Sequence, residues 1–211
     1  MIRRICLCLL ILQGCASAFD DIFLVVKNQT LGYPNQEITN VEYNQSEFSF
    51  MTLKVGRNAK VKLILNSVEQ GVYEWVSSDL NTIYTYNGLI VKSSGLPHNI
   101  ALRNYQNFSP NTSTQFSPSL EFDEPLLVGV IANFNLIGSS GLIEGNNIYK
   151  NLDAFTFSRE VGSIGWKSND VYWVNNNNLV VYALQEVHPY MPPIEIEYFY
   201  NIMFWCLKTQ S

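Results

Sequence analysis

Residues 82–93 read TIYTY-NG-LIVKS, two β-rich runs on either side of an Asn-Gly pair. Asn87 and Gly88 suit the two-residue turn of a β-hairpin, because both central positions of that turn take positive φ. The flanking runs consist largely of Thr, Ile, Tyr and Val, which favour extended strands. The sequence therefore predicts an antiparallel hairpin with its turn at Asn87 and Gly88.

Runs of the same kind continue in both directions from this hairpin. Residues 72–76 alternate, which places Tyr73 and Trp75 on one face of a strand and the intervening side chains on the other. Further along, Asn175–Asn178 separate two apolar runs as a second hairpin loop would, since Asn tolerates left-handed backbone. Other strand-like runs are residues 51–55, 60–65, 126–134, 154–159, 171–174, 179–182 and 194–199.

The spacing of these runs indicates the fold class. Turn signals recur about every 8–12 residues, as in sandwiches and barrels, and no convincing amphipathic helix stands out. We therefore expect an all-β fold, with antiparallel strands in a single curved sheet, a sandwich or an open barrel, and few short helices.

Residues 103–119 interrupt the strand pattern. Asn, Ser, Thr, Gln and Pro dominate this stretch, and Pro110 and Pro118 cannot donate to a strand ladder. We expect a mobile or loosely packed loop here, next to a short helix at residues 96–104.

The N-terminus has the form of a secretory signal. Arg3 and Arg4 precede the apolar run Ile5–Leu12, and small residues follow it. The run is shorter than the roughly 20 apolar residues that a spanning helix needs. A chain with such a start is expected to be exported from the bacterial cytoplasm.

The end of this signal allows two cleavage sites. Leu12-Gln13-Gly14-Cys15 resembles a lipobox, in which Cys15 is lipidated and becomes the new N-terminus. Ala16-Ser17-Ala18 also fits cleavage before Phe19, but that alternative does not explain the Leu and Gly spacing around the cysteine. We favour lipidation of Cys15, and attached acyl chains would hold the protein on a membrane. By resemblance to enterobacterial sorting rules, Ala rather than Asp after the cysteine indicates the outer membrane.

The predicted organisation has four parts. These are a signal peptide (residues 1–14), an N-terminal anchor and linker segment (15–44), an antiparallel β domain (45–200) and a C-terminal tail (201–211). The net charge is −5, and no basic run follows the signal, so nucleic acid is not an expected partner.

Candidate catalytic groups are few. His98 and His188 are the two histidines of the chain, and no G-x-S-x-G or metal-binding motif accompanies them. The acidic pair Asp123-Glu124 fits a solvated loop, and nothing in the sequence selects it as a glycosidase pair. We expect no cofactor, no metal and no catalytic residue.

The aromatic residues remain as candidates for binding. Most aromatic side chains in sheets belong to the core. An exposed one can stack on a sugar ring, and the candidates for such stacking are Trp75, Trp166 and Trp173.

Short blocks across the chain also follow the order and spacing of a known family. They are Met51–Gly56, residues 60–65, Gly71, Trp75–Asp79, Asn87–Val91, Ser94–Pro97, Gly165-Trp166 and Gln185–Pro189. Together they resemble the YjbF/GfcB family, the group 4 capsule lipoproteins, over most of residues 45–197. The polar stretch 104–119 and the chain after Phe199 depart from the family pattern.

This resemblance implies a β-rich outer-membrane lipoprotein that faces the periplasm and is associated with capsule or exopolysaccharide export and assembly. The family has no established reaction, so no catalytic residue is carried over. The implied partners are a membrane, contacted through the N-terminal lipid, a surface polysaccharide and other export components. A generic scaffold lipoprotein of the envelope and a polysaccharide-modifying enzyme are the alternatives.

Overall fold

The computed structural model describes residues 37–143 and 148–201. Its helix α1 spans Asn40–Gln45, and Gly162–Ile164 form a 3₁₀ turn. The strands are β1 (Phe50–Val55), β2 (Val61–Glu69), β3 (Val72–Ser77), β4 (Thr82–Tyr86), β5 (Leu89–Ser94), β6 (Ile100–Arg103), β7 (Gln115–Phe116), β8 (Ser119–Phe122), β9 (Leu127–Ile131), β10 (Asn133–Ile143), β11 (Leu152–Val161), β12 (Trp166–Val174), β13 (Val180–Gln185) and β14 (Ile194–Phe199).

These strands form one antiparallel sheet in the order β7-β10-β11-β12-β13-β14-β1-β2-β3-β4-β5-β6-β8-β9. The two outermost strands, β7 and β9, do not pair with each other, so the sheet is not closed into a barrel. The prediction of an all-β antiparallel fold is confirmed, in the form of a single sheet. The first and last strands, β1 and β14, pair with each other in the interior of the series.

The strands at the two ends of this order, β7 with β10 and β8 with β9, belong to one hairpin that is bent in the middle. β7 pairs with β10, and β8 pairs with β9. The apolar run 126–134 divides at Ala132, which joins β9 to β10, while Ser117 and Pro118 join β7 to β8. The N–H of Ala132 donates to the carbonyl oxygen of Pro118 at 3.1 Å, so the hydrogen bonding continues through the bend. The chain therefore ties the two ends of the sheet to each other and keeps the sheet curved around its core.

The start of the described chain packs against this sheet. Residues 37–56 and the described residues from 60 onward form one compact unit; residues 57–59 group with a second unit that otherwise lies outside the described residues. In α1, the Thr39 hydroxyl accepts from the N–H of Glu42 and caps the helix. The Tyr43 hydroxyl donates to the carbonyl oxygen of Tyr200 at 2.8 Å. Across the described ranges, no helix combines the length and the apolar character that crossing a membrane requires.

The predicted hairpin at Asn87 and Gly88 is confirmed. Both residues have positive φ, 47° and 81°, between β4 and β5. The turn contacts β13 so closely that a Cβ added to Gly88 would lie 2.6 Å from the side chain of Val180. Glycine is therefore required here for two reasons, its backbone conformation and the lack of space.

Hydrogen bonds from the far half of the sheet fix the same turn. The carbonyl oxygen of Gly88 accepts from Gln185 Nε2 at 2.8 Å and from the Tyr198 hydroxyl at 3.1 Å. Gln185 Oε1 in turn accepts from the N–H of Ile90 at 3.0 Å. Because Gln185 and Tyr198 belong to β13 and β14, these bonds connect the N-terminal hairpins to the C-terminal strands across the core.

Replacing Gly88 with Ala tests this connection. Positive φ and the clash with Val180 should together lower the free energy of unfolding by about 2–4 kcal/mol, measured by urea denaturation. Gly129→Ala is the matched control, because Gly129 also has positive φ but no atom would contact its added Cβ within 4 Å. Equal losses of stability in the two variants would contradict the close packing of the turn.

The predictions for residues 96–119 are wrong in two respects. Ile100–Arg103 form strand β6, so the short helix at 96–104 is absent from this described segment. The segment after β6 is docked and not loosely packed: Phe108 is 1% exposed. Its ring lies 5.3 Å from the ring of Tyr172 and 5.6 Å from that of Phe157, measured between centroids. β7 then adds to the end of the sheet, so this segment covers one end of the core.

Phe108→Ala measures how firmly the segment is docked. Loss of a fully buried aromatic ring typically lowers the free energy of unfolding by about 3–5 kcal/mol, and we expect that range here. Limited proteolysis should then cut the variant within residues 104–114 before any strand is cut. Gln106→Ala removes an exposed side chain from the same segment and should change neither property. A Phe108→Ala protein as stable as this control would show that the segment is undocked in solution.

Candidate functional site

Alternation of strand direction places six connections at one end of the sheet, and four of these carry or adjoin a group of aromatic rings. These four join β5 to β6, β8 to β9, β11 to β12, and β13 to β14. Five rings in or beside these connections form what we call the loop-end cluster, which consists of His98, Phe122, Trp166, His188 and Tyr190. The cluster joins residues from both halves of the chain, so it exists only in the folded protein.

The two histidines stack face to face. The ring centroids of His98 and His188 are 4.4 Å apart, and the ring planes differ by 2°. Phe122 meets the ring of His188 edge-on at 4.6 Å. The sequence separates the two histidines widely, and only the fold brings them together.

A tight turn positions His188 and Tyr190. The N–H of Met191 donates to the carbonyl oxygen of His188 at 3.1 Å, and Pro189 occupies the second position of this turn, where its fixed φ is favoured. The N–H of Tyr190 donates to Nδ1 of His188 at 3.1 Å. An imidazole nitrogen that accepts a hydrogen bond carries no proton, so this bond assigns the proton of the neutral ring to Nε2.

The surroundings of His188 favour its neutral form. Burial lowers the pKa of His188, and the positive charge of a protonated His98 lowers it further. The Asp123 carboxylate and the backbone carbonyl of Glu124 act in the opposite direction but do not cancel the effect. His188 is 1% exposed, so proton exchange with solvent would require the loops to open.

A buried ion pair lies beneath the cluster. The guanidinium of Arg159 donates to the carboxylate of Asp170 and to the carbonyl oxygen of Glu186, and both charged side chains are almost fully buried. The N–H of Glu186 donates to the other carboxylate oxygen of Asp170 at 3.0 Å. The guanidinium also lies 4.6 Å from the ring of Phe134 and 5.3 Å from that of Trp166. Burial raises the pKa of Asp170, while Arg159 opposes that shift.

The arrangement shows no ready nucleophile. Ser168 is opposite Arg159 in the β11–β12 ladder and is buried. Its hydroxyl has no hydrogen-bond partner among the described residues, so it lacks the contact by which a base activates a nucleophile. In the same described part of the chain, no group of three or more His, Cys, Asp or Glu side chains could hold a metal ion.

The three candidate tryptophans occupy different environments. Trp75 is 0% exposed, and its Nε1–H donates to the Thr85 hydroxyl at 2.8 Å, so its proposed role in sugar stacking is wrong. Trp166 belongs to the loop-end cluster and is half-buried. Trp173 is half-buried and meets the ring of Tyr182 edge-on at 4.6 Å. Cys15, the predicted lipidation site, lies outside the described residues.

Several of the sequence blocks that carry the family resemblance contact each other in the structure. The block at Asn87–Val91 is bonded to Gln185, the first residue of the block Gln185–Pro189. His98 directly follows the block Ser94–Pro97 and stacks on His188. Sequence reasoning missed Tyr190, and the available signal in the sequence was its position directly after the block Gln185–Pro189.

Acidification tests the neutral state of His188. Because its pKa is lower in the folded protein than the ordinary value of 6.5, the unfolded chain takes up a proton that the folded protein resists as pH falls. The wild-type free energy of unfolding should therefore decrease between pH 7.5 and 5.5 relative to that of His188→Gln, which lacks this titration. Urea denaturation of both proteins at several pH values measures the difference. A difference that stays constant over this range would contradict the assignment.

Comparison with known proteins gives a consistent result. A family model described as group 4 capsule polysaccharide lipoprotein gfcB, YjbF, matches residues 19–199. A solved structure, that of the hypothetical lipoprotein YmcC from Escherichia coli (K12), superposes with a TM-score of 0.68 at 14% identity. The match covers 79% of this chain and 98% of that one, and at this identity it shows the fold alone. No curated protein matches the chain in sequence.

Proposed function

This chain belongs to the family of group 4 capsule polysaccharide lipoproteins, and from that membership we propose that it is a non-enzymatic accessory in the export or assembly of capsule or exopolysaccharide. Membership of a lipoprotein family implies a place in the cell envelope. We place the protein at the outer membrane, facing the periplasm, with surface polysaccharide and other export components as its partners.

The observation that carries the proposal is the extent of the family match. Residues 19–199 include every strand of the sheet, so the resemblance extends over the whole fold and not over one motif. The residues of the recognisable blocks also act as joints between the two halves of the sheet, as the bonds of Gln185 to Gly88 and Ile90 illustrate. Residues of this kind maintain the shape of the fold. A defined shape is what a protein that organises or binds other molecules requires.

The hydrogen bonds and the burial of the ionisable side chains support a non-enzymatic role. Both carboxylate oxygens of Asp123 accept from Asn99, at 2.9 Å each. Asp170 is bonded to Arg159, and His188 is buried in its stack. Asp123 and Asp170 thus hold loops and strands together through their hydrogen bonds, and His188 does so through packing.

The lipidated form should depend on Cys15. In cells lacking the gene, the wild-type protein should incorporate a labelled fatty acid, sediment with membranes and restore polysaccharide output. Cys15→Ser should lose all three properties, because the thiol that accepts the lipid is absent. Cys8→Ser is the matched control, since Cys8 lies within the apolar run that is removed with the signal. An unlabelled wild type whose mature N-terminus is Phe19 would refute lipidation.

The same cells separate the alternatives. Deletion of the gene should reduce cell-bound or released polysaccharide; unchanged amounts of both would refute the accessory role and favour a generic scaffold. The purified protein should leave the chain length of isolated polysaccharide unchanged. Shortened chains that disappear on His98→Ala or His188→Ala substitution, with folding intact, would instead make the protein an enzyme.

A further inference from the structure

Tyr190 is an exposed aromatic side chain on a rigid support. Its side chain is 69% exposed, whereas most other aromatic residues at this end of the sheet are partly or fully buried. The hydrogen bond from its N–H to His188 fixes the backbone of the turn. Its ring lies 5.5 Å from the ring of His188 and 6.2 Å from that of His98. A ring held in this way loses little conformational freedom when a ligand stacks on it.

The connections that carry this ring and its neighbours are acidic. The four connections of the loop-end cluster, all of which the structure describes, contain Asp123, Glu124 and Glu186 and no Lys or Arg; Arg57 and Lys60 belong to the β1–β2 connection, where Lys60 pairs with Glu197. The nearby cation Arg159 is buried and paired with Asp170. An anionic ligand would therefore meet repulsion here, while hydroxyl groups would find hydrogen-bond acceptors.

A groove on the neighbouring strands shares Phe122 with the cluster. It has a volume of about 270 Å³ and begins beside Asn99 and Asp123. Leu126 forms an apolar wall, and Lys92 and Glu121 add polar groups along it. Its size is close to the lower end of the range for small-molecule sites, which are also mostly apolar with a few polar groups.

We propose that Tyr190, with His98 beside it and the adjoining groove, forms a binding site for uncharged sugar residues of a polysaccharide. The exposed ring face of Tyr190 packs against the apolar face of a sugar, and sugar hydroxyls bond to the carboxylates of the surrounding connections. This inference rests on the proposed function and adds to it a location and a ligand class.

The test is direct binding to the full-length mature protein. Isothermal titration with maltohexaose and cellohexaose, both neutral, is compared with titration of an oligogalacturonate of the same length. We expect one or both neutral probes to bind at least tenfold more tightly than the acidic one. Tyr190→Ala should weaken that binding at least tenfold, whereas Tyr190→Phe keeps the ring and should stay within about threefold of wild type.

Controls separate binding from folding. Tyr105→Ala removes a half-buried tyrosine at the opposite end of the sheet and should leave binding unchanged. Thermal melting should confirm that Tyr190→Ala is folded. Failure of the wild type to bind either neutral probe, tighter binding of the acidic probe, or equal losses in Tyr105→Ala and Tyr190→Ala would each overturn the inference.

The outcomes also distinguish failure of the sugar-binding site from failure of the proposed accessory role in polysaccharide export or assembly. If gene deletion reduces polysaccharide output but the protein binds no neutral probe, the sugar site is refuted and the accessory role stands. If the protein binds a neutral probe through Tyr190 but deletion changes nothing, the site stands and the accessory role is refuted. Polysaccharide output in cells that carry Tyr190→Ala connects the two measurements.

Discussion

The carbonyl oxygen of Gly88 accepts hydrogen bonds from Gln185 and Tyr198, and the rest of the fold depends on this junction. A hairpin that forms locally in the first half of the chain is thereby fixed to strands from the last part of it. The approach is so close that any side chain at Gly88 would overlap Val180. Curvature of the sheet, closure of the core and the meeting of the loop-end cluster all require the two halves to be held at this separation.

This dependence explains how a chain can carry recognisable blocks without a catalytic motif. Gly88 and Gln185 lie in different blocks and contact each other, as do His98 and His188 at the end of the sheet. The buried Arg159–Asp170 pair stabilises the same region, because removing either partner would leave an uncompensated charge in the core.

Local and non-local features differ in how well the sequence predicts them. The turn at Asn87 and Gly88 was predictable because its conformation depends on two adjacent residues. The docking of Phe108 was not, because Phe157 and Tyr172, against which it packs, and the strand that β7 joins are distant in the sequence. Alternation placed Trp75 on a strand face but could not tell the core face from the solvent face. The loop-end cluster could not be predicted either, because His98 and His188 meet only through the tertiary fold.

The pairing of β1 with β14 has a consequence for biogenesis. One partner of β1, the first described strand, is β14, the last described strand, so the sheet cannot be completed until residue 199 is available. Contacts of such long sequence separation form late and slowly. For a chain exported as its N-terminal sequence predicts, late completion would favour passage through the secretion machinery before a stable fold can block it. The strand order thus makes completion of the sheet wait for its last strand.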